Sequence, residues 1–118
     1  MTSAHDPQLL KGVLSVLLLR LLAERESYGY EVVQRLHEVG LEDVLEGTVY
    51  PALARLEREG RLRSRLVSST AGPARKYYRP TPEGYAALAA GAANWSSLVE
   101  VVGSVLDGPA PTSPIEGA

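Results

Sequence analysis

The chain has no cysteine and no phenylalanine, and its 118 residues include one tryptophan, one methionine and two histidines. The missing cysteines exclude disulfide frameworks, thiolate zinc sites and cysteine nucleophiles. His5 and His37 lie far apart, and neither belongs to a metal-ligand pattern or a plausible Ser-His-Asp set. A glycine-rich phosphate loop before a helix is also missing. We therefore predict a protein that is not an enzyme and has no metal site or cofactor.

A hydrophobic run long enough to cross a membrane is missing as well. Residues 9 to 22 are strongly apolar, but Lys11, Ser15 and Arg20 interrupt them, and the stretch is shorter than the roughly 20 residues that span a bilayer. A basic leader and a small-residue cleavage site are absent, so the segment does not match a signal peptide. We expect a buried core helix in a single-domain cytoplasmic protein without a membrane partner.

The net charge of the chain is small, but its charged residues are unevenly distributed. The formal net charge is −2, yet residues 55 to 79 contain eight basic and two acidic side chains, which makes this segment +6 and the remainder −8. A basic patch on an acidic body is a typical footprint for binding phosphate. Basic runs are also common on solvated surfaces, so the pattern alone leaves both interpretations open.

Two helices are predicted in the first third of the chain. Asp6 and Pro7 form a helix start, with an N-cap followed by proline at the first helical position. Apolar residues then cover most of the helix circumference, so a second subunit is expected to bury part of this helix. Ser27 is the predicted N-cap of the second helix, Tyr30 is expected in the core, and Gly40 ends the helix.

A third helix and a basic two-stranded ribbon follow. The helix is predicted from about Gly47 to Arg58, and the strands over residues 62 to 68 and 75 to 79. The turn is predicted within residues 69 to 74, which include Gly-Pro. Alternation places one strand's arginines on one face and its leucines on the other. This order predicts a mainly α fold with a small β-hairpin, a winged helix-turn-helix.

A fourth helix completes the predicted fold. Thr81 caps it, and it continues to about Leu106. Apolar residues recur along it with heptad spacing over about three repeats: Tyr85, Leu88, Ala92, Trp95, Val99, Val102 and Leu106. We therefore predict a DNA-binding domain over residues 1 to 81, an added C-terminal dimerisation helix over residues 82 to 107 and a disordered tail over residues 108 to 118.

The third helix and the ribbon contain the predicted DNA contacts. Thr48 and Tyr50 lie at the helix start, the part of a recognition helix that contacts bases, and Arg55 follows one or two turns later. Arg75 and Lys76 follow the wing tip and could reach a minor groove or its phosphates. The alternative is that Tyr50 packs on a neighbouring helix, Arg55 is solvated and Lys76 protects a strand edge.

Two further aromatic positions are open to more than one interpretation. Tyr28, at the start of the second helix, could contact a phosphate. Trp95 could be a core or interface aromatic, or it could stack on a flat apolar ligand between two subunits. The candidate ligand site consists of Trp95, Ala92 and Val99, and the alanines around the indole leave space for a ligand or for a close helix.

Four strings in the sequence resemble the PadR family of bacterial transcription regulators. They are LLKGVLSVLLLRLL (9 to 22), YGYEVVQRL (28 to 36), EGTVYPALARLEREG (46 to 60) and GPARKYYRPTPEG (72 to 84). The short single C-terminal helix resembles that of the compact subfamily. Pro80 departs from the more usual leucine before the threonine.

The resemblance implies a homodimer that represses at a near-palindromic operator on double-stranded DNA and is released by a small molecule, such as a planar aromatic ligand beside Trp95. By the resemblance, DNA contacts map to Tyr28, Thr48, Tyr50, Pro51, Arg55, Arg75 and Lys76. The first and fourth helices would form the dimer interface, through Leu10, Leu14, Leu17, Leu88, Trp95, Val99, Val102 and Leu106. The alternatives are a regulator that mainly senses aromatic ligands or drugs, and a winged-helix module that binds proteins without binding DNA.

Overall fold

The computed structural model describes residues 6 to 111 and contains four helices and one small sheet. The helices are α1 (Pro7–Glu24), α2 (Gly29–Glu38), α3 (Glu46–Arg58) and α4 (Pro82–Leu106). The strands are β1 (Ser27–Tyr28), β2 (Leu62–Ser69) and β3 (Gly72–Pro80). They form an antiparallel sheet in the order β1-β3-β2. The predicted mainly helical winged-helix fold is confirmed. Most of the predicted tail over residues 108 to 118 lies outside the described residues, as does His5.

The core forms where α1, α2 and α3 meet. Asp6 caps α1 as predicted, since its side chain accepts a hydrogen bond from the Gln8 N–H at 2.9 Å, and Pro7 occupies the first turn. The largest fully buried apolar side chains come from all three helices: Leu18, Leu19, Leu22, Val32, Val33, Leu36, Val49, Leu53 and Leu56. Burial of this apolar surface is the main stabilising contribution to the fold.

The start of α2 differs from the prediction. Ser27 does not cap the helix: it belongs to β1, pairs with Tyr78 and is fully buried. Its hydroxyl is already used, since it donates to the Arg25 carbonyl and accepts from the Arg35 guanidinium at 3.1 Å. The wing is therefore a three-stranded sheet rather than a hairpin alone. Tyr30 was expected in the core, but its side chain is 47% exposed.

The turn of the wing is also shorter than predicted. Thr70 and Ala71 alone connect the strands, because Ser69 pairs with Gly72 and β3 begins at that glycine. Pro73 therefore lies inside a strand. It is tolerated there because the ladder is irregular next to it and β1 does not reach that part of β3.

A compact junction joins the end of α3 to the start of α4. Thr81 donates its N–H to the Arg61 carbonyl at 3.1 Å and its hydroxyl to the Gly60 carbonyl, and it caps α4 by accepting from the Gly84 N–H at 3.0 Å. Gly60 ends α3 with φ +78°, in the left-handed region that favours glycine. At Gly84, a Cβ would lie 2.0 Å from the Arg61 carbonyl oxygen.

The fourth helix packs on α1 only along its first half. Gly91 permits close approach there, since a Cβ would lie 2.6 Å from a methyl group of Val16. Beyond this contact the helix exposes large apolar side chains: Trp95, Leu98, Val99, Val101, Val102, Val105 and Leu106. We refer to these seven residues as the α4 apolar strip. These side chains remain exposed within the described part of the chain. Residues 82 to 106 contain only two acidic and no basic side chains, so few charges interrupt this apolar surface.

Candidate nucleic-acid interface

The burial pattern of α3 defines which side of this helix faces outward. Val49, Ala52, Leu53 and Leu56 are buried against the core. The helical period of 3.6 residues then places Gly47, Pro51, Ala54 and Arg58 in a row on the opposite side, and all four are exposed. We call this row the α3 ridge. Its first three residues are small, so another surface can approach the helix backbone closely.

The α3 ridge includes a proline and two residues that the sequence-based contacts did not contain. The helix begins at Glu46, so Pro51 lies just after its first turn. Its missing N–H leaves the carbonyl of Gly47 without the usual helical partner, on the exposed side where water can replace it. Ala54 and Arg58 were missing from the sequence-based contacts. The apolar spacing of α3 could have identified Ala54 and Arg58, because it marks the buried side of the helix and they lie on the opposite side.

Thr48 and Arg55 lie on the flank of α3 that faces α1. The Arg55 guanidinium donates to the Ser15 hydroxyl at 2.8 Å and to the Glu59 carboxylate at 3.4 Å. Thr48 lines a groove of about 340 Å³ together with Leu10 and Leu14 of α1. Arg55 is thus both a predicted DNA contact and a link between α1 and α3, and its side chain remains 44% exposed.

Tyr50 lies on the opposite flank, beside the start of α2 and the wing. A Cβ at Gly29 would lie 2.6 Å from the Tyr50 ring, so the glycine is required for this contact. Together these elements form a cleft of about 220 Å³, which we call the tyrosine cleft. It is lined by Tyr28, Gly29, Tyr30, Tyr50, Leu53, Arg75, Lys76 and Tyr78. Partial burial raises the pKa of the Tyr50 hydroxyl, which can donate a hydrogen bond.

The two wing cations of this cleft have different surroundings. Arg75 lies 4.5 Å above the Tyr28 ring, and no carboxylate in residues 6 to 111 lies within ion-pair distance of it. Lys76 contacts Glu57 of α3 at 2.9 Å and lies 5.6 Å from the Tyr78 ring centre. The hydrogen bonds from Ser64 and Lys76 lower the pKa of Glu57, and this carboxylate in turn raises the pKa of Lys76.

Of the predicted contact residues, the structure brings four together and separates three. Tyr28, Tyr50, Arg75 and Lys76 all line the tyrosine cleft. Pro51 lies on the α3 ridge next to it, whereas Thr48 and Arg55 lie across the ridge on the α1 side. The cleft and the ridge together form a surface about one helix wide with a basic border. Such a shape fits a major groove and the phosphates beside it.

A second cavity lies between α1 and α4. It has a volume of about 400 Å³ and is lined by Val13, Val16, Leu17, Arg20, Leu88, Ala89, Ala92, Trp95 and Ser96. Trp95 and Ala92 from the predicted ligand site are thus neighbours there, with the Trp95 side chain 48% exposed. Val99 lies further along α4 and does not line this cavity.

The residues predicted for the dimer interface differ in their exposure. Leu14 is only 7% exposed and belongs to the core of its own subunit. Leu10, Leu17 and Leu88 are partly buried against that core. Trp95, Val99, Val102 and Leu106, by contrast, belong to the α4 apolar strip and are the residues of this set that are free to contact another surface.

Two features are absent from residues 6 to 111. No helix in this part of the chain is long and apolar enough to cross a membrane. Within the same range, no three histidine, aspartate or glutamate side chains cluster in a way that could hold a metal ion.

Known proteins with similar sequences and structures share this architecture. Residues 18 to 90 match the transcriptional regulator PadR-like family. The transcriptional regulator Rv3488 of Mycobacterium tuberculosis is 46% identical over 68 residues, which cover 56% of this chain and 60% of that protein. A PadR-like regulator from Bacillus cereus aligns with a TM-score of 0.77 and 36% identity over 86% of this chain and 99% of that one. A PadR family regulator from Eggerthella lenta aligns with a TM-score of 0.80 and 36% identity over 86% and 88%.

These matches bear on function as well as fold. Proteins of the matched family are transcriptional regulators that bind DNA and typically dimerise, and they are not enzymes. The predictions of a DNA-binding regulator and of a chain without enzymatic activity are therefore confirmed. The family match covers the last part of α1, the helices α2 and α3, the wing and the first part of α4. This chain belongs to the PadR-like family of transcriptional regulators.

Proposed function

We propose that the protein is a homodimeric repressor that binds a near-palindromic operator through the tyrosine cleft and the α3 ridge. The observation that carries this proposal is the position of the cleft. One aromatic, basic concavity joins the start of α3 to the wing, so a groove-reading helix and phosphate-binding side chains share one surface. Base contacts and phosphate contacts are the two components of sequence-specific recognition.

Each part of this surface has a proposed role. The small residues of the α3 ridge allow the helix to enter the major groove, where Tyr50 donates its hydroxyl to a base edge or a phosphate. Arg75 and Lys76 bind phosphates beside the groove, with Tyr28 holding the Arg75 guanidinium in place. Lys76 exchanges Glu57 for a phosphate when DNA binds. Thr48 and Arg55 contact the backbone on the α1 side, and Pro51 shapes the ridge between the two flanks.

The dimer supplies the second half of the recognition surface. The α4 apolar strip supports dimerisation, because large exposed apolar patches mark interaction sites. Two subunits related by a two-fold axis would place their α3 helices in successive major grooves, about one helical turn apart. A pseudo-palindromic operator follows from that symmetry.

The test compares two variants on the operator and on random DNA at fixed salt. We expect Tyr50→Ala to weaken operator binding by about tenfold or more and random binding much less, since a good base contact is worth roughly 1–3 kcal/mol. Arg75→Ala with Lys76→Ala should weaken both duplexes alike and reduce the dependence of log affinity on log salt by about 0.9 per lost phosphate contact. Fluorescence anisotropy over a salt series measures both quantities.

Arg20→Ala is the matched control, because Arg20 belongs to the α1–α4 cavity and pairs with Glu24 at 2.9 Å. It should leave both affinities unchanged. Wild-type binding by all variants would exclude the proposed roles of Tyr50, Arg75 and Lys76. If the wild-type protein showed no salt-dependent retention on heparin, the alternative of a protein-binding module would be favoured.

We further propose that a planar aromatic ligand in the α1–α4 cavity relieves repression. The half-exposed Trp95 indole and the small side chain of Ala92 support this role, and the cavity size of about 400 Å³ suits a small ligand. The ligand would regulate DNA binding by favouring one dimer geometry over another.

Trp95 is the only tryptophan of the chain, so its fluorescence reports on this site directly. We expect planar aromatic compounds to quench it and to release operator DNA at the same concentrations. Ala92→Leu should fill the cavity and abolish the quenching while operator binding persists. A panel of such compounds without any quenching would contradict the ligand-sensing role and leave the DNA-binding role intact.

A further inference from the structure

The sheet has a second basic surface on the side that faces away from α3. The Ser64 hydroxyl contacts Glu57 of α3, so the alternation of a strand directs Arg63 and Arg65 to the opposite side. Arg79 of β3 pairs with Arg63 and shares that side. Together with Glu26, these three arginines line a cleft of about 240 Å³. We call these four residues the arginine face.

The charges on this face are not balanced within residues 6 to 111. Glu26 accepts two hydrogen bonds from Arg65, at 2.9 and 2.7 Å, and this contact lowers the pKa of the carboxyl group. Arg63 and Arg79 lie directly opposite each other, and no described carboxylate lies within 4 Å of either. Like charges in directly opposed positions destabilise a sheet. Glu26 attracts Arg79 at longer range, but its carboxylate already binds Arg65.

The arginine face is continuous with the proposed DNA-binding surface. Arg75 lies on the same side of β3 as Arg79, four residues earlier, which is about 13 Å at roughly 3.3 Å per residue. Tyr77 lies between them and packs edge-on against Tyr28 at 5.3 Å, the ring that also holds Arg75. A row of guanidinium groups therefore extends from the tyrosine cleft across the outer side of the wing.

We propose that the arginine face binds phosphates of the duplex that flanks the operator. Guanidinium groups fit phosphate oxygens through paired hydrogen bonds, and Arg63 and Arg79 have their N–H groups available. Continuity with the tyrosine cleft favours DNA over an acidic protein as the occupant. The inference rests on the proposed operator binding, which it extends by one further contact surface for each subunit.

The experiment measures affinity for two duplexes with the same operator. One is trimmed to its two half-sites, and the other is longer by about one helical turn, roughly 10 base pairs, at each end. We expect the wild-type protein to bind the longer duplex more tightly. Arg63→Gln with Arg79→Gln should lose about tenfold in affinity for the long duplex. The slope of log affinity against log salt should become shallower by about 2 to 4, at about 0.9 for each lost phosphate contact. Binding of the trimmed duplex should not change.

A second variant of the arginine face should increase affinity for the long duplex, where the double variant decreases it. Glu26→Gln releases Arg65 and removes the one negative charge of the cleft, so we expect affinity for the long duplex to rise. Partial unfolding could not produce that gain. Equal affinities of wild type and double variant for the long duplex would overturn the proposal. An acidic protein would then be the better candidate partner for the arginine face. Equal losses on both duplexes would also overturn it. Failure of the wild-type protein to bind either duplex would instead reject the operator-binding function itself.

Discussion

Individual basic residues of the wing and α3 differ mainly in whether the fold already gives them a partner. Within residues 6 to 111, Lys76 is paired with Glu57 and Arg55 with Ser15 and Glu59, whereas Arg75 lies over the Tyr28 ring and has no carboxylate partner. A cation with a carboxylate partner must exchange that partner to bind a phosphate, which reduces the net gain on binding. Arg75 has no such exchange to make, so we expect it to contribute more to DNA affinity than Lys76.

Glu57 is a residue whose protonation should affect the stability of the fold. Ser64 and Lys76 lower its pKa in the folded chain, so its contribution is present above its ordinary pKa of about 4.3 and is lost as the pH falls through the lower folded value. We predict that Glu57→Gln reduces the loss of melting temperature between about pH 6 and pH 3, while costing less than about 1 kcal/mol at neutral pH.

Thermal unfolding followed by circular dichroism at both pH values measures this difference. Glu42→Gln is the control, because Glu42 is an exposed acid in the α2–α3 loop. It should behave like the wild-type protein. An identical loss of melting temperature in wild type and Glu57→Gln would show that the contact with Ser64 and Lys76 does not contribute.

Between elements, the junction of α3 and α4 joins the end of one helix directly to the start of the other. Thr81 binds the carbonyls of Gly60 and Arg61, and Gly84 packs directly on the Arg61 carbonyl. A side chain added at Gly84 would meet the backbone oxygen of Arg61. Rotation of a neighbouring side chain therefore could not make room for it. A change in the direction of α4 should therefore move the end of α3 as well.

We predict that Gly84→Ala lowers the free energy of unfolding by about 1–3 kcal/mol, because the added methyl group would overlap a backbone oxygen. Gly12→Ala is the matched control: Gly12 is an exposed helical glycine of α1, and a Cβ there would have no described atom within 4 Å beyond its chain neighbours and the nearby helix backbone. It should stabilise by about 0.4–1 kcal/mol. Urea unfolding measures both changes. Equal effects of the two substitutions would contradict the tight junction.

At the level of the whole molecule, α4 is the element whose large apolar side chains remain exposed in residues 6 to 111. The described residues extend over 70 × 34 × 20 Å, an elongated shape that is poorly suited to cover the α4 apolar strip. The strip occupies one side of the second half of α4, and Ser97, Glu100 and Ser104 lie on the other side. This amphipathic division is the pattern of a helix that packs against a partner.

We predict that Val102→Asp converts the protein to a monomer and lowers operator affinity by at least about a hundredfold, because burying an unpaired carboxylate at the interface is unfavourable. Ser97→Asp adds the same charge to the polar side of α4 and should leave the dimer intact. Sedimentation velocity at micromolar concentration separates the two species. A dimeric Val102→Asp protein would locate the interface elsewhere.

The sequence by itself was sufficient for the elements whose signals are local. Asp6-Pro7 and Thr81-Pro82 started α1 and α4 as predicted, because caps and proline act within one helical turn. The arginines and leucines of β2 were assigned to opposite faces of the strand, as the structure has them. These features depend on neighbours within a few residues along the chain.

Only the tertiary structure decided the features that depend on distant residues. Ser27 became a strand residue because Tyr78 and Arg35 bind it, and Arg55 turned toward Ser15, 40 residues earlier in the chain. The arginine face exists because strand pairing places Arg79 opposite Arg63. Local propensity contains no information about which residues become neighbours after folding. Pairing and packing supplied that information, and with it the arrangement of the proposed DNA-binding surface.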